Sequence, residues 1–452
     1  MNNRIFFAFF FCSLLCSCKK HLNEIPDSNL QVTRTIDDLL SMEDNDQVTT
    51  NSTPGMSQLG SDDYYLSGTA WQTADIIARN AYIWAANPYE GQSVPGWNNS
   101  YKAIYIVNAV LERLPQVPVD DSVKYRMVKG GALFFRAFFF YALEEAFGEP
   151  FRPASAAKDL GVILRLNSDP KSNPGRATVS EVYRQILSDA RQAVSLLPSL
   201  PDPVKRNRPS AAAAYALLAR VCLTMQDYEG AKKYVDSSLA LYDRLMDYNA
   251  FDINSTRPFS LSLNVEVLLN CSQQAYAAQY ASGSIIDSSL YRSYDVNDLR
   301  KYLFFRINQT TGSPSFKGQY TGLSYLSGGP ALDELYLIRA ECNARAGDKD
   351  KALEDLNALL IKRWKTGSFV PYSALTPEEA LRLILEERRK ETLFRDLRWA
   401  DLRRLNQDPR FARVLTRIVN GQLYTLPPND PRYAWPIPDD EIRMSGVPQN
   451  PR

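Results

Sequence analysis

The chain has 452 residues, 45% of them hydrophobic and 23% charged, and its 52 basic and 51 acidic side chains leave a formal net charge of +1. That balance gives no broad electrostatic footprint for nucleic acid. The single histidine, His21, closes the Ser-His-Asp, Cys-His and HExxH routes for a folded body, and no GxxxxGK[ST] or GxGxxG phosphate loop occurs. Carboxylate chemistry, which needs only two Asp or Glu, stays open.

The N-terminus reads "FFAFFFCSLLCSCKKHLNEIP". Its apolar run, Ile5 to Leu15, is barely half of the about 20 residues that a spanning helix requires. It follows Arg4 and ends in small residues, the order of a secretory signal peptide. Leu15-Cys16-Ser17-Cys18 places an aliphatic residue at −3, a small one at −1 and then Cys, which resembles a bacterial lipobox. This predicts a signal over residues 1–17 and a mature body 18–452 whose first residue, Cys18, carries acyl groups such as palmitate. The alternative is an ordinary cleaved signal that leaves Cys18 as a free thiol. Each buried CH₂ contributes about 0.8 kcal/mol, so two or more acyl chains anchor stably. Cys222, Cys271 and Cys342 are far apart and odd in number, so they form neither a disulfide framework nor a CxxC zinc knuckle. No metal or cofactor is expected.

Residues 41–100 are rich in Ser, Thr, Asn, Gly and Asp with interspersed aromatics, and lack sustained helical period. "WNNSYKAIYIVNAVLERL" (97–114) is helical, with Trp97, Tyr101 and Tyr105 expected in the core. "VKGGALFFRAFFFYALEEAFGEP" (128–150) is a helix apolar all round, which predicts full burial. "RATVSEVYRQILSDARQAVSLLP" (176–198) carries a capping box, Thr178 and Glu181, and stops at Pro198. "AYALLARVCLTMQDYEGAKKYVDSSLALY" (214–242) and "ALDELYLIRAECNARAGDKDKALEDLNALL" (331–360) both read helix, turn, helix. Aligning their turns matches Leu217 with Ile338, Ala219 with Ala340, Ala231 with Ala352 and Val235 with Leu356. This is the tetratricopeptide alternation of small and large positions. Between them, residues 250–330 form a second Ser-, Gly- and Tyr-rich excursion, in which "VEVLLN" (265–270) suits a short strand. Excursions of that size usually serve function. Finally, Thr376, Pro377 and Glu379 open the helix "PEEALRLILEERRKETLFRDLRWADLRRL" (377–405), where acids and arginines interleave at ion-pair spacing.

Taken in order, these segments resemble the SusD/RagB family of Bacteroidetes outer-membrane lipoproteins. The resemblance runs from "CKKHLNEIPDS" through "GGALFFRAFFFYALEEAFGEP", "GVILRL" and "RATVSEVYRQIL" to "LDELYLIRAECNARAG", "EERRKETLFRDLRWADLRR" and "YAWPIPDDEI". It implies a mostly α fold, a tetratricopeptide-like helical hairpin scaffold with long irregular ligand-binding excursions. It implies one SusD-like body, with an N-terminal part over about 18–250 and a C-terminal RagB/SusD part over 251–452. It further implies a non-enzymatic lipoprotein of the outer membrane, displayed to the exterior, that captures oligosaccharide and delivers it to a SusC-like TonB-dependent transporter. One branch of the family binds peptides instead. Lys19 and Lys20 follow the lipid cysteine where acidic residues favour surface display.

A sugar ring is gripped by flat aromatic surface and by hydrogen-bonding groups at its rim. Burial of about 60 Å² gives only about 1.5 kcal/mol per stacked ring, so several are needed. The first excursion offers Tyr64, Tyr65, Trp84 and Tyr89, with Asp62 and Arg79 at the rim; the second offers Tyr291, Arg292, Tyr294 and Tyr320. The rival reading for each is packing of the excursion itself. Two rivals from other classes are a carboxylate glycosidase, using Glu386, Glu387, Glu391, Asp396 or Asp401, and a scaffold whose only partner is protein. The interleaved Arg388, Arg389, Lys390, Arg395 and Arg398 favour a structural ion-pair helix over general-acid chemistry, which needs an apolar setting.

Overall fold

A computed structural model of the protein describes residues 33–279, 284–323 and 325–452. Cys18, the lipobox and His21 lie outside the described residues. The N-terminal stretch runs through α1 (Ile36–Glu43), α2 (Asp46–Thr49), α3 (Met56–Gly60), strand β1 (Tyr64–Leu66), α4 (Gly68–Thr73) and α5 (Ile76–Tyr82). The long helices α6 (Pro95–Arg113) and α7 (Ser122–Phe147) follow, then the ribbon β2 (Leu160–Ile163) and β3 (Arg176–Thr178), α8 (Val179–Leu196), and the hairpin α9 (Ala211–Thr224) and α10 (Tyr228–Leu241). The second excursion holds β4 (Ser284–Ile286), α11 (Ser288–Ser293), α12 (Arg300–Leu303) and the ribbon β5 (Phe305–Ile307) and β6 (Pro314–Phe316). The chain closes with the hairpin α13 (Leu332–Arg345) and α14 (Lys349–Leu360), then α15 (Pro377–Glu391), α16 (Arg398–Leu405), β7 (Leu415–Val419), β8 (Gln422–Leu426) and α17 (Asp439–Ser445).

The local signals act as expected. Both reciprocal capping boxes form, Thr178 with Glu181 and Thr376 with Glu379, satisfying amides that have no partner inside the helix. Helix α7 lies between α6 and α8, and Phe134, Phe135, Phe138, Phe139 and Phe140 are all buried. Its Gly131 sits against Glu43, where an added Cβ would stand 2.4 Å from the carboxylate, so this glycine admits α1 beside α7, while Gly130 admits Leu196 and Leu197 at the end of α8.

The two hairpins carry the same turn chemistry: Asp227 caps α10 and Asp348 caps α14, each accepting a backbone N–H three residues on. They stack in space, α10 against α13, although the second excursion separates them in sequence. Arg339 on α13 clamps both neighbours, with Asp355 on α14 at 2.7 Å and Asp236 on α10 at 3.1 Å. Arg220 on α9 makes a buried bidentate pair with Glu334 on α13, 3.0 and 2.6 Å. The array is therefore a continuous tetratricopeptide-like layer, and the excursion leaves from one of its edges.

Three expectations are corrected. Tyr105 is 40% exposed rather than core, while Trp97 is buried as expected and Tyr101 donates to the Ile163 carbonyl at 2.8 Å. "VEVLLN" makes a single antiparallel bridge, Val267 with Ala331, not a strand; Leu268 and Leu269 are simply buried. The acid-arginine helix is two helices, α15 and α16, broken where Phe394 and Asp396 take positive φ of 58° and 60°. There Arg300, wholly buried, reaches Asp298 at 2.7 Å, Glu387 at 2.6 Å and Glu391 at 2.9 Å, and Arg363 holds the other oxygen of Glu391 at 2.7 Å.

Candidate functional site

The two excursions meet. Strand β1 pairs antiparallel with β4, Tyr64 opposite Ile286 and Tyr65 opposite Ile285. Strand alternation turns Tyr64 and Leu66 inward and leaves Tyr65 outward. Leu66 N–H is held by the Tyr82 hydroxyl at 2.9 Å, which ties β1 to α5. Beside this ribbon, the outer face of α15 and the edge of β7 complete an open groove. It consists of two cavities of about 680 and 580 Å³ that share Ser289, Arg389 and Arg413 in their walls.

The floor of the smaller cavity is aromatic and cationic. The Arg417 guanidinium stacks 3.7 Å from the Tyr82 ring centre and 4.6 Å from that of Trp84, with Tyr64 at 5.7 Å. It donates to the carbonyls of Leu59, Ser61 and Tyr82, and burial pushes its pKa down. Trp84 is fixed by its own N–H donating to Gly60 at 3.0 Å. These rings carry the guanidinium on their faces, so their stacking surface is already used within the protein.

At the junction of the cavities, one carboxylate gathers three arginines. Arg398 grips Asp62 bidentately at 2.6 and 2.9 Å, Arg389 lies at 3.4 Å, and Arg413 at 3.7 Å. Burial works against the Asp62 carboxylate, but Arg389 and Arg398 outweigh it and hold the carboxyl far below its ordinary range. The neighbouring Asp63 pairs with Arg389 at 3.3 Å, yet burial dominates there and raises its carboxyl.

The expected site residues divide. Asp62, Tyr64, Tyr65 and Trp84 line the groove together, but of the three rings only Tyr65, 40% exposed, presents a face to solvent. Tyr89 is a correction: its ring is wholly buried and its hydroxyl donates to the Pro436 carbonyl at 2.6 Å, so it packs the excursion onto the C-terminal segment. Tyr294 is another, buried with its hydroxyl on the Lys390 carbonyl at 2.8 Å and Arg300 over its ring. So is Tyr320, buried beneath Arg395 with its hydroxyl on Glu266. Arg79 lies over Trp71, 5.9 Å from the ring centre, outside both cavities. Tyr291 packs edge-on against Phe305, and Arg292 is exposed beside it; neither lines the groove, although their neighbours Ser289, Leu290 and Ser293 do.

The residues that sequence reasoning did not place here are cationic: Arg389, Arg398, Arg413 and Arg417. Along α15, Glu387, Arg388, Lys390 and Glu391 are buried in ion pairs, and Glu387 and Lys390 border the larger cavity together with the more exposed Arg382, Glu386 and Arg389 and with Tyr372 and Phe411. For Arg413 and Arg417 the available signal was the alternating "RVLTRIV" (413–419), which puts Arg417 on the inward face of an edge strand.

A groove of this kind, set between irregular excursions on a tetratricopeptide-like helical layer, defines an α-helical scaffold with an open polar cleft. Comparison with known proteins names it further. A SusD-like family model described as "Starch-binding associating with outer membrane" matches residues 20–223, and the SusD family model matches residues 332–452. The chain belongs to the SusD/RagB family. SusD-like protein P2 of Formosa agariphila is 25% identical over 368 residues, 68% of this chain and 71% of that protein. A SusD superfamily protein of Bacteroides thetaiotaomicron VPI-5482 has the same fold, with a TM-score of 0.74 at 22% identity over 92% of this chain and 100% of that one. A laminarin-binding SusD-like protein superposes with a TM-score of 0.66 at 19% identity, over 91% and 97% of the two chains.

Proposed function

We propose that this protein is a lipid-anchored receptor of the outer membrane, facing the exterior, that captures oligosaccharide in the groove and delivers it to a SusC-like TonB-dependent transporter. The observation that carries this reading is the convergence of both excursions on one open groove, where outward Tyr65 stands beside Asp287, Ser289 and Arg413. An open cleft with one free ring and many hydrogen-bonding groups suits a chain of hydroxylated rings. The family description, with its outer-membrane association, and the laminarin-binding relative agree in ligand class. No helix among the described residues is long and apolar enough to cross a membrane; the anchor in this reading is Cys18 of the lipobox-like sequence.

Catalysis is not part of this reading. Asp396, which burial raises to about 7, lies outside both cavities of the groove; at Glu387, which lines it, burial pushes the carboxyl up, but Arg300 and Lys390 more than offset it and leave it below its ordinary range. A general acid needs the opposite shift. Titration calorimetry of the mature chain carrying Cys18→Ser, against a panel of oligosaccharides and a panel of peptides, tests the proposal. Saccharide binding without turnover supports it; binding confined to peptides, or cleavage of the saccharide, overturns it. Incorporation of labelled palmitate that Cys18→Ser abolishes, and co-purification of a barrel transporter, test the anchor and the partner.

A further inference from the structure

Arg413 is the least satisfied cation in the groove. It lines both cavities, its side chain is 54% exposed, and its nearest carboxylate is Asp62 at 3.7 Å. Asp62 is already saturated, since both of its oxygens accept from Arg398 and it shares Arg389. Burial, then the charges of Arg398 and Arg389, push the Arg413 pKa down; Asp62 pulls it the other way, and Glu386 is the weakest counterweight.

The other charges of the lining are accounted for. Arg382 pairs with Glu378 at 2.8 Å, Arg410 with Asp408 at 2.7 Å and Glu378 at 2.8 Å, and Lys390 with Glu387 at 2.7 Å. Arg417 has only carbonyls and ring faces. Two carboxylates remain in the walls. Asp287 is engaged as the N-cap of α11, accepting from the Leu290 amide at 2.9 Å, and Glu386 is exposed on α15. Around the junction, then, three arginines, Arg389, Arg398 and Arg413, share the two carboxylates Asp62 and Asp63, next to the free ring of Tyr65. An arginine that others crowd and that half faces solvent is a seat for an anion.

We propose that the ligand is an acidic oligosaccharide, whose carboxylate or sulfate ester is held by Arg413 while an adjoining ring stacks on Tyr65. This deepens the oligosaccharide reading and rests on it. The test is calorimetry of the mature Cys18→Ser chain with three probes of matched length: a neutral laminari-oligosaccharide, an oligogalacturonate and a sulfated laminari-oligosaccharide. The expected result is that one or both acidic probes bind about tenfold more tightly than the neutral one at low salt, and that added salt erases the difference. The two acidic arms distinguish carboxylate from sulfate. Arg413→Gln brings the acidic probes to the neutral level, Arg413→Lys restores part of the preference, and Tyr65→Ala weakens all binding probes. Neutral binding with no acidic preference, or a preference that Arg413→Gln leaves intact, overturns this inference and leaves oligosaccharide capture standing. Failure of all three probes alongside peptide binding overturns both.

Discussion

The buried ionic cluster behind α15 makes a sharp prediction. Arg300 is wholly buried and holds Asp298, Glu387 and Glu391 within 2.6–2.9 Å. Replacing it with Met keeps the stem and removes the charge. Four carboxylates, Asp298, Glu266, Glu387 and Glu391, then face only Arg363 and Lys390. Breaking a buried pair by deleting one partner costs about 3–5 kcal/mol, because the remaining charge has left water without compensation. With an unfolding entropy of about 2.1 cal/mol/K per residue over roughly 400 residues, a loss of about 4 kcal/mol lowers Tm by about 5 °C. Urea unfolding and scanning calorimetry at pH 7 measure both. The pH dependence supplies an independent check. Glu387 is depressed in the folded protein, so its contribution is present above its unfolded pKa and is lost as pH falls through the folded value. Arg300 is a principal cause of that depression, so the gap between the parent and Arg300→Met narrows in acid. A gap below about 1 kcal/mol at pH 7, or one that stays constant in acid, would refute the assignment of the cluster as a mutually compensated unit.

Other outcomes follow from the same geometry. Burial pushes the Glu144 carboxyl from 4.5 up to about 8, so the folded state keeps a proton that the unfolded chain releases between those values. Stability therefore falls as pH rises through that window, by up to about 5 kcal/mol, and Glu144→Gln flattens the slope in urea titrations taken across it. Tyr65→Ala weakens oligosaccharide binding by about tenfold, the worth of one stacked ring, and leaves Tm unchanged because the ring is exposed. Tyr89→Phe does the reverse: it loses the hydrogen bond to Pro436 and about 1 kcal/mol of stability, with calorimetric affinity for the ligand unaltered.

The scaffold was legible because its signals are local. A capping box such as Thr376 with Glu379, or the matched Asp-capped turns at Asp227 and Asp348, is decided by residues within one turn of helix. The site was legible only in outline. That the excursions carry it followed from their composition; that β1 would pair with β4 did not, because three-residue strands more than two hundred positions apart leave no periodic trace. Nor does composition separate Tyr65 from Tyr64. One residue of strand register decides which of the two stacks on Arg417 and which faces outward. The aromatic criterion therefore selected Tyr89 and Tyr294, whose hydroxyls fasten the excursions to the C-terminal segment and to α15, and Tyr320, whose hydroxyl bonds Glu266 within its own excursion. It passed over arginines whose role depends on which face of α15 they occupy.

That helix explains why so irregular a surface holds a fixed shape. Its inner face is locked by Glu387, Arg388, Lys390 and Glu391, each in an ion pair with α12, Asp298 just before it, α13, α16 or Arg363. Its outer face, Arg382, Glu386 and Arg389, is consequently set before any ligand arrives. Arg389 extends the lock across the groove to Asp62 and Asp63, immediately before β1, so the strand that displays Tyr65 is pinned from the same helix. Ordering a long side chain on binding costs about 0.5–1.5 kcal/mol, and a wall arranged in advance avoids that cost at several positions together. An open, shallow cleft gains little from enclosure, so this prior ordering is what would let the few contacts proposed at Tyr65 and Arg413 register as affinity.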